Sequence, residues 1–224
     1  MKTLLIATRN AHKVGEIRAI LGEGFHYLTL NDFPDAPLIA ETADTFAGNA
    51  TLKVLGLSRC LRNSGAKLPG QKLFVLADDS GLEVEALDWQ PGVHSARFAA
   101  LDETVNGSST GNSSDADNNA KLLRLLKDIP QERWKARFRC VLALQEVDQE
   151  TRVTTLKSFA GVCDGRISPT PAGSGGFGYD PLFIPDGHQK SFAELGEDVK
   201  NTVSHRAKAL EKLRAELNKE AKKS

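Results

Sequence analysis

The chain has 224 residues, a length typical of one domain or two small ones, and 40% of them are hydrophobic. Charged residues make up 26%, which excludes a wholly disordered chain, a collagen and a coiled coil. The 29 Lys and Arg balance the 29 Asp and Glu, so no global basic field favours nucleic acid or anionic lipid. We therefore expect no nucleic-acid or membrane partner, whereas a nucleotide would need only a few local cations.

The cysteines and the N-terminus bear on the compartment. Cys60, Cys140 and Cys163 form no C-x-x-C pair and are too few and scattered for a disulfide framework or a zinc cage. Cys140 lies in an apolar strand and is interpreted as inert packing. The N-terminal apolar run is too short for a signal sequence or a membrane span. These features favour a reducing, cytoplasmic location.

The first third of the chain predicts a strand–loop–helix unit and a second helix. The apolar run at residues 4–7 predicts a strand. Asn10 can cap the helix that the apolar spacing over residues 14–21 predicts. Asp44 or Thr45 can cap a second helix, whose apolar stripe ends at Leu61.

The middle of the chain predicts two strands and a loop. The unbroken apolar run at residues 73–77 is typical of a buried strand, which we expect to end at residues 78–81. Alternation over residues 82–86 then predicts a separate, half-exposed strand. Residues 104–119 are rich in Ser, Asn, Gly and Asp and predict a flexible polar loop, followed by a short helix at 120–126.

The last third predicts a hairpin, a loop and a helix. Residues 136–147 and 153–160 flank a polar turn and predict a long hairpin. Residues 169–181 are full of Gly and Pro and predict a loop. An amphipathic helix is expected at 207–217, followed by a basic tail at 218–224. Strands and helices mix, so the predicted class is α/β with a mixed sheet.

Residues 8–13 form the first candidate site, because they follow the first predicted strand directly. A helix N-terminus presents unpaired N–H groups and a partial positive charge, which favour phosphate. Thr8 and Asn10 add neutral donors, and Lys13 adds a charge one turn into the helix. An ordinary capped helix with a surface lysine has the same pattern, so this segment alone leaves both interpretations open.

Asp78 and Asp79 form the second candidate site, at the expected end of the buried strand. Ligands of α/β sheets bind at the carboxyl ends of the strands. Adjacent carboxylates repel each other unless a cation lies beside them, and Mg²⁺ prefers oxygen ligands and bridges to phosphates. Asp79 could then orient or deprotonate a water molecule. The alternative is a solvated Asp-Asp turn.

Three further groups contain chemistry-bearing residues. Asn49 and Lys53 share one face of the second predicted helix, and Glu41 lies just before it. Lys53 could reach a phosphate or could extend along apolar surface to water. Lys200, His205 and Arg206 bring three cationic side chains close together before the last helix, which is also the pattern of an ordinary charged helix start.

Residues 173–178 match G-x-G-x-x-G, but they do not follow a strand and open a helix as a Rossmann motif must. A glycine loop that lets the backbone approach a planar ligand is the better interpretation. Phe177 would supply a stacking face and Asp180 an acceptor. A tight structural turn explains the composition equally well.

In combination and order, these segments resemble the inosine triphosphate pyrophosphatase family, the Ham1-like enzymes that act on noncanonical purine nucleotides. The resemblance runs from residue 4 to about residue 210. Its most specific blocks are Ala77-Asp78-Asp79-Ser80-Gly81 and Gly176-Phe177-Gly178-Tyr179-Asp180-Pro181, supported by residues 91–97 and by Ser204-His205-Arg206.

The resemblance implies a fold and a reaction. The fold would be one α/β domain over residues 1–224, with an elongated mixed sheet, flanking helices and two lobes around a central nucleotide cleft. The reaction would convert ITP, dITP or XTP to the monophosphate and pyrophosphate with Mg²⁺, by attack of water at the α-phosphorus. Members are usually homodimers that clean the nucleotide pool.

The resemblance also assigns roles to residues. Asp79 would be the proton acceptor with Asp78 in support, and Glu41 and Asp79 would bind Mg²⁺. The substrate-binding set would comprise a triphosphate cradle, a contact at Ser80, a base platform, and a wall at the keto edge of the base. These are, in that order, Thr8, Arg9, Asn10, Ala11, His12, Lys13 and Lys53; Ser80; Phe177, Gly178, Tyr179 and Asp180; and Lys200, His205 and Arg206.

Rival functions remain at this point. A Maf-like pyrophosphatase would have a similar fold and another base specificity. A nucleotide-binding regulatory module without catalysis would not need the carboxylates Glu41, Asp78 and Asp79. A Rossmann oxidoreductase is disfavoured by the context of its only motif.

Overall fold

This computed structural model describes residues 2–63, 73–102, 111–147 and 155–221. Six strands and five α-helices occur in these ranges. In chain order they are β1 (Lys2–Ile6), α1 (Ala11–Leu21), β2 (Phe25–Thr29), α2 (Phe46–Asn63), β3 (Leu73–Val84), α3 (Asp115–Leu126), β4 (Lys135–Val147), β5 (Leu156–Ile167), β6 (Phe183–Pro185), α4 (Phe192–Val203) and α5 (His205–Ala221). None of the described helices is both long and apolar enough to span a membrane.

The six strands form one sheet in the order β2-β1-β3-β4-β5-β6. β1 runs parallel to both β2 and β3, with Thr3 opposite His26 on one side and Leu73 on the other. β5 and β6 are antiparallel, with Ile167 opposite Phe183. The sheet is therefore mixed, as the sequence predicted, and β4 and β5 are neighbours as expected for the predicted hairpin.

The chain divides into two compact units. The first comprises Met1–Asp79, Cys140–Gly161 and Arg206–Ser224, and the second comprises Ser80–Arg139 and Val162–His205. The divisions fall within β3, β4 and β5, so each of these strands belongs partly to each unit.

The first unit buries both faces of its part of the sheet. Leu4, Ile6, Phe74 and Leu76 pack with α1 and α5, whereas Leu5, Val75 and Ala77 pack with α2. Successive side chains of a strand point to opposite faces, which explains why the strand runs are apolar throughout. The predicted helix stripes of α1, α2 and α5 supply the buried residues on the helix side.

The core of the second unit is rich in aromatic residues. Phe138 of β4 packs against Phe183 of β6 with ring centroids 4.7 Å apart, and Phe183 lies 5.3 Å from Phe192 of α4. Leu82 and Val84 of β3 are fully buried in the same cluster. The strand that carries the acid pair is thus anchored in a core at each end.

The predicted strand break at residues 78–81 is wrong. β3 continues without interruption from Leu73 to Val84. The Asp-Asp-Ser-Gly sequence resembles a turn, but the side chains of Asp78 and Asp79 find cationic partners on the two faces of the sheet. Extended backbone is therefore maintained through a segment that local propensity would have ended.

The predicted polar loop at 104–119 is wrong at its end. Residues 115–119 form the first turns of α3, because Ser114 caps the helix by accepting the Asp117 N–H. Residues 104–110 of that loop lie outside the described residues, as do the hairpin turn at 148–154 and residues 222–224 of the basic tail. α5 itself continues to Ala221, so most of the predicted tail is helical.

β2 and α4 were not predicted. β2 is short, and its residues alternate poorly between buried and exposed. α4 does have a sequence signal, since Ser191 and Glu194 form a capping box in which each side chain accepts the backbone N–H of the other residue. Gly196 then interrupts the helix with a φ of 80°, which masks the helical periodicity.

Candidate active site

Asp78 lies on the face of β3 that packs against α1 and α5. Its Oδ1 accepts a hydrogen bond from Lys13 Nζ at 2.6 Å, and its Oδ2 accepts one from Arg206 Nε at 2.9 Å. Cys140 of β4 donates its thiol to Oδ2 at 3.3 Å. Arg206 also forms an ion pair with Glu16 of α1. Asp78 is thus held by residues from α1, β4 and α5.

The charge state of Asp78 follows from these partners. Burial acts to raise the pKa of its carboxyl, but Arg206 and Lys13 outweigh that effect and hold the pKa well below its usual range. Asp78 is therefore ionised at neutral pH, and both its oxygens are engaged.

Asp79 lies on the opposite face of β3, towards α2. Its Oδ1 accepts a hydrogen bond from Lys53 Nζ at 2.7 Å, and the same ammonium lies 2.9 Å from Oε1 of Glu41. Burial acts to lower the pKa of Lys53, but Asp79 and Glu41 more than compensate and raise it. Lys53 thus stays charged between two carboxylates.

The second carboxylate oxygen of Asp79 differs from both carboxylate oxygens of Asp78. Oδ2 is buried and has no hydrogen-bond partner among the described residues. Burial raises the pKa of Asp79, and Lys53 offsets this only in part. A buried, half-satisfied carboxylate is costly, so Asp79 is suited to accept a proton or a cation.

The carboxylate oxygens of Glu41 and Asp79 decide whether this site suits a metal ion. No cluster of three or more His, Cys, Asp and Glu suited to a metal occurs in the described part of the chain. Mg²⁺ does not require one, since it commonly binds through one or two carboxylates, waters and substrate phosphates. Glu41 and the orphaned Oδ2 of Asp79 provide that pair.

Residues 8–13 form the turn that the sequence predicted. The Asn10 side chain caps α1 by accepting the Lys13 N–H at 3.1 Å, and Thr8 Oγ1 accepts the Asn10 N–H at 3.1 Å. Arg9, Asn10, Ala11 and His12 are exposed. The helix start is therefore open to solvent, and Lys13 leans inward to Asp78.

The glycine loop of the second unit is organised around Asp180. Asp180 Oδ2 accepts the Phe177 N–H at 2.9 Å and pairs with Lys200 Nζ at 2.5 Å. Lys200 also lies 4.6 Å from the centroid of the Phe177 ring, a cation–π contact. Gly176 is required here, because its φ is 73° and a Cβ would lie 2.1 Å from Asp180 Oδ2.

The four residues of the predicted base platform differ in exposure. Phe177 and Gly178 are half-buried, whereas Tyr179 and Asp180 are 4% and 2% exposed. The Tyr179 hydroxyl donates to the Ser95 carbonyl at 2.9 Å, and burial raises its pKa. Phe177 and Gly178 are thus the accessible part, and Tyr179 anchors them.

The three residues of the predicted keto-edge group have different partners. Lys200 is 2% exposed beside Phe177, and His205 stacks on Phe138 with ring centroids 4.7 Å apart. Arg206, 1% exposed, belongs to the first unit, where it holds Asp78. Ser80 is half-buried in β3, on the same face as Asp78 by strand alternation.

Several site residues escaped the sequence reasoning. Cys140 was interpreted as inert packing, but its thiol contacts Asp78. Glu16 pairs with Arg206 from 190 positions away, a distance over which no local pattern exists. Asp115 and Asn119 of α3 form hydrogen bonds with the backbone N–H and carbonyl of Gly178. Only Asp115 and Asn119 carried a signal, as polar residues at i, i+4 spacing in a helix.

The family of this chain follows from its similarity to known proteins. The model of the Ham1 family matches residues 4–216. The chain belongs to the Ham1 family. It is 46% identical over 214 residues to a dITP/XTP pyrophosphatase of Geobacillus kaustophilus, covering 95% of this chain and 93% of the relative. A dITP/XTP pyrophosphatase of Porphyromonas gingivalis is 45% identical over 215 residues, covering 96% of each chain.

Solved structures agree with the Ham1 assignment. A HAM1 protein from Coxiella burnetii matches with a TM-score of 0.76 and 33% identity, over 98% of this chain and all of the other. The Ham1 protein of Staphylococcus aureus matches with the same TM-score and 32% identity, again over 98% and 100%. The resemblance drawn from the sequence motifs and the α/β fold that it implied are both confirmed.

Proposed function

We propose that this Ham1-family chain hydrolyses noncanonical purine nucleoside triphosphates, namely ITP, dITP and XTP, to the monophosphate and pyrophosphate. The observation that carries the proposal is the pair Asp78 and Asp79. Their carboxylates lie on opposite faces of β3, and each is bound to a lysine. The Oδ2 of Asp79, unpartnered in the described part of the chain, can accept a proton or a metal ion, as hydrolysis requires. The names of the relatives, dITP/XTP pyrophosphatases, supply the substrate class.

The triphosphate belongs with the first unit in this proposal. The N-terminus of α1 at residues 8–12 offers the partial positive charge of a helix start, and Lys13 and Lys53 add charge. Glu41 and Asp79 would hold Mg²⁺, which when bound would neutralise charge on the phosphates. Lys53, already between these two carboxylates, keeps them close together in the free protein.

Asp79 is assigned the role of general base towards the attacking water. In the metal-free protein burial raises the pKa of Asp79, and its Oδ2, unpartnered among the described residues, is the oxygen of the acid pair that can accept a proton or bind the metal ion. Asp78 is assigned a supporting role, because its oxygens are already engaged by Lys13 and Arg206. Arg206 would therefore act through Asp78, in place of the base contact that the sequence suggested.

The base belongs with the second unit in this proposal. Phe177 would stack on it, and Lys200 would complement a 6-keto group. Adenine presents an amino group at that position, so a donor would face a donor. Unpaired polar groups of this kind make rejection strong. Asp180 is assigned to the support of Phe177 and Lys200, and His205 to the aromatic core of the second unit through its stacking on Phe138.

The deciding experiment is product analysis with ITP, XTP, GTP and ATP in Mg²⁺, with pyrophosphate and orthophosphate measured separately. We expect pyrophosphate and monophosphate from ITP and XTP, with ATP nearly untouched. Release of orthophosphate would contradict attack at the α-phosphorus. Tight binding without turnover would favour the regulatory module.

We further propose a cytoplasmic homodimer. The dimer is carried over from the family resemblance. The compartment is supported by the absence of a disulfide among Cys60, Cys140 and Cys163, all of which lie in the described ranges.

A further inference from the structure

Two side chains of α3 form hydrogen bonds with the backbone of Gly178. Asp115, the first residue of that helix, accepts the Gly178 N–H through Oδ2 at 2.6 Å. Asn119, one turn later, donates Nδ2 to the Gly178 carbonyl at 3.1 Å. One carboxylate and one amide thus satisfy both backbone polar groups of Gly178, which belong to the peptide groups on either side of its Cα.

These hydrogen bonds matter because the backbone of Gly178 has a conformation that residues other than glycine rarely adopt. Its φ is 64°, in the left-handed region, although a Cβ would meet no other atom there. Steric crowding therefore does not enforce this conformation of Gly178, and the hydrogen bonds from α3 help to hold it. A single charge-assisted hydrogen bond of this kind is among the stronger ones in proteins.

The neighbours of Gly178 are anchored by other groups. Phe177 donates its N–H to Asp180, and the Tyr179 hydroxyl donates to the Ser95 carbonyl. Asp180 and Tyr179 are buried, so they fix the C-terminal side of the loop. Asp115 and Asn119 are the contacts from outside the loop that fix Gly178 itself, directly beside the Phe177 ring.

We infer that Asp115 and Asn119 are positioning residues for the base: by binding the backbone N–H and carbonyl of Gly178 they preset the orientation of Phe177 before the nucleotide binds. The inference rests on the proposed function and adds residues that contact neither the base nor the phosphates. Preorganisation of this kind lowers the cost of ordering the site on binding. Its loss therefore raises KM and leaves kcat, which depends on Asp79 in the first unit, nearly unchanged.

The test compares Asp115→Ala, Asp115→Asn and Asn119→Asp with the wild type. Asp117→Ala is the matched control. Asp117 also lies in the first turn of α3, but among the described residues its side chain bonds only to Ser114, which caps the helix. We expect Asp115→Ala to raise KM for ITP about tenfold with kcat within about twofold. Asp115→Asn keeps an acceptor and recovers most of the loss. Asn119→Asp sets an acceptor against the carbonyl and raises KM.

The hydrogen-exchange rate of the Gly178 amide, measured by NMR, reports on its hydrogen bond to Asp115 independently of enzyme activity. We expect faster exchange at this amide in Asp115→Ala and no change in Asp117→Ala. Faster exchange with an unaltered KM would overturn the inference, as would equal losses in kcat for the control and the test variants. Failure of the wild type to hydrolyse ITP would instead overturn the proposed function and the base-positioning role with it.

Discussion

The carboxylates of Asp78 and Asp79 are adjacent in sequence, yet they leave β3 on opposite faces and differ in charge balance. Asp78 receives hydrogen bonds from two cations and a thiol, and its pKa is well below the usual range. Asp79 has one lysine and an orphaned oxygen, and its pKa is raised. Alternation in the strand thus places, within two residues, one carboxylate whose oxygens are both paired and one that has an oxygen unpartnered among the described residues, to which we assign the reactive role.

Replacing Asp79 by Asn tests this division at the reactive side. We expect kcat for ITP to fall by about 100-fold or more, because the base is lost, with nucleotide binding largely kept. The melting temperature should be equal to or above that of the wild type, since ionised Asp79 costs folding free energy in its buried site. Steady-state kinetics and calorimetry measure both. Retained activity would show that another group accepts the proton.

Replacing Asp78 by Asn tests the structural side through pH. A depressed pKa contributes stability above the unfolded value of about 3.9, and that contribution is lost as pH falls through the folded value. The free energy of unfolding of the wild type should therefore decline below about pH 4, and the decline should be shallower in Asp78→Asn. Urea titrations between pH 3 and pH 7 measure it.

The same variant should be less stable at neutral pH, by about 3 kcal/mol, because Lys13 and the buried Arg206 lose the carboxylate that they share and Arg206 keeps only Glu16 as a counter-charge. Equal pH dependence in the two proteins would contradict the assigned charge state of Asp78.

At the scale of elements, α2 supplies both Lys53 and the support for Glu41. Asn49, fully buried one turn before Lys53, accepts the Ala43 N–H through Oδ1 at 2.9 Å. This bond fixes the segment that carries Glu41 against the first turn of α2. The helix therefore determines the spacing of a lysine and a carboxylate that lie 12 residues apart.

Asn49→Ala should consequently raise the Mg²⁺ concentration for half-maximal activity by about tenfold, because Glu41 loses its fixed position. Mg²⁺ titrations at saturating ITP measure this value, and a Mg²⁺-induced rise in melting temperature gives an activity-independent reading. Ser58→Ala is the control, since Ser58 is buried in the same helix and its hydroxyl has no partner among the described residues. Equal shifts in both variants would indicate general damage to α2.

At the scale of the whole molecule, the chain combines two units whose sites differ in kind. The first gathers Lys13, Lys53, Glu41 and the acid pair, all charged. The second gathers Phe177, Lys200 and Asp180 around an aromatic core. In the proposed function, phosphate chemistry would belong to the first unit and base recognition to the second.

The proposed homodimer is a prediction at this scale. Light scattering at micromolar concentration should give a mass of twice that of the 24.3 kDa chain. The mass of a single chain would require the dimer to be abandoned, without affecting the chemistry assigned to Asp79.

Much of the site could be read from the amino-acid sequence, because its parts are local. The Asn10 cap, the stripe of α2, the buried run before Asp78 and the glycine loop around Phe177 each depend on residues close together in the chain. Their order along the chain then identified the Ham1 family, which the comparisons confirmed.

Tertiary structure alone decided which charges meet. Local propensity favoured a turn at residues 78–81, but packing on both faces keeps β3 extended and sends the two carboxylates apart. Arg206 reaches Asp78 across 128 positions, and Asp115 reaches Gly178 across 63. No periodicity encodes such contacts, because they arise only when separate elements pack together and bury charges that must then be paired.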